Sequence, residues 1–145
     1  MSEDMISWYN ELVHPQDRVY ILGDLAMNRK ALDKSLPRLL GRKVLVKGNH
    51  DTDKLSYYSQ YFDDIRAYVV KKGFILSHIP IHPSSMGRWS LNIHGHLHYQ
   101  SVHLPAINPR KDSPLLDTRY CCVSVEHTNY RPILLDEVLT ERGLK

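Results

Sequence analysis

The sequence predicts an α/β domain whose sheet is mixed or layered rather than plainly doubly wound. Three observations predict it. Two short apolar runs, Arg18–Leu22 and Lys43–Lys47, flank a stretch of helical periodicity, the signature of a β-α-β unit with parallel strands. Further strand-like runs then succeed one another without helices between them, which a simple alternating fold does not produce. Finally, 145 residues at 42% hydrophobic supply one core, and no repeat, low-complexity tract or linker divides the chain.

Met5, Ile6, Trp8, Tyr9, Leu12 and Val13 lie at amphipathic spacing over residues 3–13, with Ser2 as N-cap and acids in the first turn, so this segment reads as a helix ended by His14-Pro15. Trp8, Tyr9 and Leu12 are its expected core residues. Arg18–Leu22 is a buried strand closed by Gly23-Asp24. A second helix starts near Asn28 and runs to Leu40, weakened by Pro37 and stopped by Gly41. Lys43–Lys47 is a second buried strand, closed by Gly48-Asn49-His50-Asp51. Ile65–Lys71 and Phe74–Ser77 around Lys72-Gly73 read as a hairpin. A loop over 79–90, a strand at Leu91–His94, a loop over 104–118, a strand at Arg119–Val125 and a helix at Leu135–Arg142 before Gly143 complete the chain.

Composition excludes several classes. Lys+Arg 19 against Asp+Glu 16 gives a net charge of +3, too small an excess to argue for nucleic-acid binding. The apolar runs are too short to span a bilayer, and residues 1–15 lack the features of a secretory signal. Cys121 and Cys122 are neighbours, offer no disulfide framework and read as small core residues of a strand, so a cytoplasmic location is expected. The unusual count is His 9, with His78, His82, His94, His96, His98 and His103 close together.

The residues just past each strand carry the chemistry. The strand ends are Gly23-Asp24, Gly48-Asn49-His50-Asp51, Ser77-His78 and His94-Gly95-His96-Leu97-His98. Ligands in open α/β sheets bind beyond the carboxyl ends of strands, so four strand ends bring oxygen and imidazole donors to one rim. Asp, Asn and His without thiolate suit Mn²⁺, Fe or Zn²⁺ in a catalytic site. His96 and His98, two apart, project the same way in extended chain and can serve adjacent cations about 3.5–4 Å apart.

Taken in order, these four motifs resemble four of the five motifs of the calcineurin-like metallophosphoesterases, over roughly residues 18–98. The tail Val123–Pro132 is also similar to small phosphoesterases common in phage genomes. The resemblance implies a layered metallophosphoesterase-like sheet with flanking helices, and hydrolysis of a phosphomonoester or phosphodiester by a metal-bound hydroxide. It implies Asp24 as a carboxylate bridging two ions, with Asn49, His78 and His96 completing one shell and His98 in the other. His50 would protonate the leaving oxygen or steady the phosphoryl group, and Asp51 would orient His50. Divalent Mn is the leading cofactor, with Zn, Fe or Ni as alternatives.

The first motif of that family, Asp-x-His on an N-terminal strand, does not occur in this sequence. One metal site is therefore well formed and the other partial, and the first strand is expected to be missing. Three readings stay open: a truncated product, a true one-metal or weak two-metal variant, or a fold completed by another chain. An exposed sheet edge would then favour a homo-oligomer. A phosphate-ester substrate is the expected partner, with nucleic acid only as substrate and no membrane. The rival to the enzyme is a non-catalytic metal-binding protein of the same descent. His94 has no ligand role by the resemblance and is either a support behind the ligands or exposed; His14, His82, His103 and His127 are surface or loop residues, and Arg88 and Trp89 either touch substrate or only pack.

Overall fold

The computed structural model describes residues 1–25 and 28–145. Among them, helix α1 (Glu3–Leu12) is capped by the Ser2 hydroxyl, which accepts the Met5 N–H. Strands β1 (Arg18–Ile21) and β2 (Arg42–Val46) are parallel and joined through α2 (Arg29–Ser35), which Asn28 caps through the Ala31 N–H. Pro37 turns the end of this expected long helix into a 3₁₀ turn at Leu36–Arg38, because its ring permits an N-terminal position but removes a mid-helix donor. A short helix α3 (Leu55–Tyr58) leads to β3 (Asp64–Arg66), parallel to β2. The first sheet thus has the order β1-β2-β3.

The second sheet is mixed. Strands β4 (Tyr68–Lys71) and β5 (Phe74–Ser77) form an antiparallel hairpin, and β6 (Leu91–His94) and β7 (Tyr120–Cys122) add in parallel, giving β4-β5-β6-β7. Helix α4 (Leu135–Glu141) packs Val138 and Leu139 on its core. The α/β class with a mixed sheet is therefore as the sequence predicts.

Three details differ. The run 65–71 is not one strand of a hairpin: β3 pairs in the first sheet and β4 in the second, so the chain changes sheets at Ala67. The late strand stops at Cys122, and Val125–His127 is a 3₁₀ turn. Leu12 is 48% exposed, because the inward stripe of α1 is Ile6, Tyr9 and the C-cap Val13.

Strand β1 ties the two cores together. Alternate side chains of a strand point to opposite faces. Val19 and Ile21 pack on the cluster of Ile6, Tyr9, Leu36, Leu45 and Tyr58, while Tyr20 and Leu22 pack on that of Phe74, Leu76, Leu91 and Ile93. Each fully buried aliphatic side chain of these cores contributes about 1.5–3 kcal/mol, so the loop after β1 leaves a well-anchored strand. No helix among the described residues is long and apolar enough to cross a membrane.

Candidate metal centre

The loops after β1, β2, β5 and β6 meet at one place. His78, 4% exposed, sets the geometry. Its Nδ1 faces the Leu22 carbonyl oxygen and must donate there, so in the neutral ring Nε2 carries a bare lone pair. Three atoms face that lone pair: Asn49 Oδ1 at 2.9 Å, His96 Nδ1 at 3.2 Å and Asp24 Oδ2 at 3.2 Å. The ligand atoms of Asp24, His78 and His96 all lie within 4.8 Å of one another.

Asp24 Oδ2 and Asn49 Oδ1 are acceptors, and His96 Nδ1 accepts or donates according to its tautomer. A ring proton serves one neighbour at a time; a divalent ion would serve all four groups through their lone pairs. The three distances to His78 Nε2 are close to those of a metal shell, since ligand atoms about 2.1 Å from an octahedral or tetrahedral ion lie about 3.0–3.4 Å apart. Asp24, Asn49, His78 and His96 are thus the residues that could hold a metal. The Leu22 carbonyl fixes the His78 ring, as the outer partner of a metal-binding histidine would.

The local chain is shaped for this convergence at some cost. Asp24, His96 and His98 adopt positive φ angles of 54°, 67° and 52°, a region that costs a non-glycine residue on the order of 1–3 kcal/mol. Glycine makes the close approach feasible. A Cβ on Gly23 would lie 2.6 Å from Gly48 Cα and 2.8 Å from His78 Nδ1, and one on Gly48 would lie 2.5 Å from Asp24 N. The two loops interlock through backbone that only glycine leaves open.

Asp51 secures the same junction. Its carboxylate is 2% exposed and accepts the N–H groups of Asp24 and Gly48 on Oδ2, both at 2.8 Å, and that of Leu25 on Oδ1 at 3.0 Å. These bonds are to backbone; the role the resemblance implies, orienting the His50 ring, is not among them. His50 is exposed, and its backbone N–H holds Asp24 Oδ1 at 2.9 Å, which leaves Oδ2 for the centre.

His98 lies apart from the four donors. It is 71% exposed and its Nδ1 is 3.0 Å from Glu126 Oε1. The backbone N–H of Glu126 itself, and then His98, hold that carboxyl below the ordinary carboxylate value. A recess of about 250 Å³ lined by His96, Leu97, His98, Tyr99 and Gln100 opens beside it. His94, one of the two expectations for which was exposure, is instead fully buried; burial lowers its pKa, Nδ1 bonds Gly95 O, and Nε2 has no partner among the described residues. His14, His82, His103 and His127 are surface or loop residues of partial to full exposure, Arg88 is exposed, and Trp89 is half-buried. Cys121 and Cys122 are half-buried, and burial pushes the Cys121 thiol up. Sequence reasoning missed two groups, the Leu22 carbonyl and Glu126.

An α/β fold with a cluster of metal-ligand type at its strand ends is thus defined. No family model matches the chain. The uncharacterized protein MJ1445 of Methanocaldococcus jannaschii is 33% identical over 149 residues, covering 99% of this chain and 77% of that protein. This chain belongs to the same family as MJ1445. The crystal structure of AQ665 from Aquifex aeolicus, a protein of unknown function, superposes with a TM-score of 0.69 at 27% identity, over 95% of this chain and 83% of that one.

Proposed function

We propose that this chain is a metal-dependent phosphoesterase of metallophosphoesterase-like layering, acting on a phosphomonoester or phosphodiester. The observation that carries the reading is the convergence of Asp24 Oδ2, Asn49 Oδ1 and His96 Nδ1 on His78 Nε2, a set of oxygen and imidazole groups of the kind that holds a divalent cation. A bound divalent ion, Mn²⁺ first, would polarise the phosphoryl oxygen and lower the pKa of a water to near neutrality. Asp24, Asn49, His78 and His96 would hold it, and one carboxylate among neutral ligands would leave net positive charge for a phosphate. His98, outside that group, would serve a weaker second ion together with Asp24. His50 is exposed, and its ring has no hydrogen-bond partner among the described residues, so it could donate a proton to the leaving oxygen. The recess lined by His96 and His98 would be the place for the ester.

The second reading, a metal-binding protein without catalysis, is favoured by one observation: Asp51 is spent on backbone amides, so nothing described orients His50. Hydrolysis of an aryl phosphate and a bis-aryl phosphodiester with added Mn²⁺ separates them. Wild type is expected to turn over slowly, Asp24→Ala not at all, and His50→Ala roughly 10²–10⁴-fold more slowly than wild type on a poor leaving group. Equal rates in all three proteins would overturn the enzyme and leave the metal-binding protein.

A further inference from the structure

His98 poses a problem that packing does not solve. Its side chain is 71% exposed and its backbone sits at φ 52°, so neither burial nor ordinary conformational preference holds its ring in place. The chain segment after β7 does. The 3₁₀ turn Val125–His127 lies over the loop that carries His98 and grips it at two points: Glu126 Oε1 takes His98 Nδ1 at 3.0 Å, and His127 Nε2 donates to Gln100 O at 3.1 Å. The Cys122 thiol adds a third hold, 3.7 Å from His98 O. The other carboxylate oxygen, Glu126 Oε2, is buried and has no partner among the described residues. Of the side chains around it, the carboxylate is therefore directed at one ring.

We infer that Glu126 is the positioning residue of His98, fixing Nδ1 as the donor and leaving Nε2 as the lone pair available to a cation. The physical reason is the choice between tautomers. A solvated imidazole exchanges its proton between two nitrogens, and only the bare one binds a metal. A carboxylate at Nδ1 selects one tautomer, orients the ring and makes the other nitrogen more basic, as carboxylate partners of metal-binding histidines do. Its negative charge also adds to a position where, in the proposed centre, His98 has only Asp24 for company. Glu126 thus compensates, from behind the ring, for a shell short of direct ligands. The cation half of this inference rests on the metal-centre reading; the tautomer half does not.

The experiment uses the whole chain, free of metal and then titrated with Mn²⁺. Two-bond ¹⁵N–¹H correlation spectra of the histidine rings at pH 8 read the tautomer of His98, assigned by its loss in His98→Asn. Wild type is expected to show the Nδ1–H form. Glu126→Gln, which keeps an acceptor oxygen but no charge, is expected to retain it, and Glu126→Ala to relax to a mixture. In the Mn²⁺ titration, Glu126→Ala is expected to weaken the lower-affinity step by roughly 10–100-fold and leave the tighter step unchanged. A wild-type His98 in the Nε2–H form, or one unaltered in Glu126→Ala, overturns the inference, as does equal weakening of both steps. If wild type binds no Mn²⁺ at all, the metal-centre reading fails while the tautomer comparison still decides the role of Glu126.

Discussion

Replacing Asp51 by alanine is expected to be among the most damaging single changes in the chain, although Asp51 touches no ligand atom of the centre. Its carboxylate accepts three backbone N–H groups. A hydrogen bond to a charged group is worth about 1.5–3 kcal/mol, and a buried donor left unpaired costs about 1–3 kcal/mol. The Gly48 N–H is buried and bears the full cost; those of Asp24 and Leu25 are part-buried, so water recovers a share of theirs. Taking about 2–3 kcal/mol for the first and about 1 kcal/mol for each of the others gives about 4–5 kcal/mol, a large part of the stability of an ordinary domain. Asp51→Asn behaves differently. Its amide oxygen can still accept the Asp24 and Gly48 N–H groups, while its NH₂ opposes the Leu25 N–H, so about 1–2 kcal/mol is lost. Urea unfolding followed by circular dichroism measures both, with an unchanged slope expected. A loss below about 1 kcal/mol for Asp51→Ala, or a larger loss for Asn than for Ala, would show that these three bonds do not hold the junction.

The same geometry carries other consequences. His98→Gly relieves a positive φ and gives up one exposed hydrogen bond, so it is expected to leave thermal stability unchanged or raise it by up to about 1 kcal/mol while weakening Mn²⁺ binding, and a loss above about 1 kcal/mol in calorimetry would contradict this. Arg119 beside Asp117 holds that carboxyl below its ordinary value of 3.8. Because the folded value lies below the unfolded one, the stabilisation is complete above the ordinary value and is lost as pH falls through the lowered one. Asp117→Asn is therefore expected to destabilise by about 1–2 kcal/mol at pH 7 and by less as the pH drops below about 4, read from urea midpoints across pH; a difference independent of pH would contradict it. Among titrations of single variants, Asp24→Ala and His96→Ala are expected to lose the tight Mn²⁺ step and His103→Ala to keep it.

Much of the fold is legible because each site residue ends an apolar run. Arg18–Leu22, Lys43–Lys47 and Phe74–Ser77 read as strands from composition alone, and the polar residue after each is a group that the fold delivers to the rim. The sheet change at Ala67 is not legible: Ile65 and Val69 have the same strand character, and which neighbour each pairs with is decided by distant residues, Leu45 and Leu76. Leu12 reads as core because it is apolar, yet it sits off the stripe of Ile6, Tyr9 and Val13. The partners of the Asp51 carboxylate are backbone amides and that of His78 Nδ1 is a carbonyl, and neither has a residue type to betray it. Glu126 lies just past a run whose alternation suggests a strand, and its partner is 28 residues away.

In the proposed centre a divalent ion would occupy the space between Asp24, Asn49, His78 and His96. Anomalous diffraction at the manganese edge from crystals grown with Mn²⁺ would locate it. A peak is expected about 2.0–2.3 Å from Asp24 Oδ2, Asn49 Oδ1, His78 Nε2 and His96 Nδ1 together. No peak at saturating Mn²⁺, or a peak that leaves His78 Nε2 without contact, would contradict the claim.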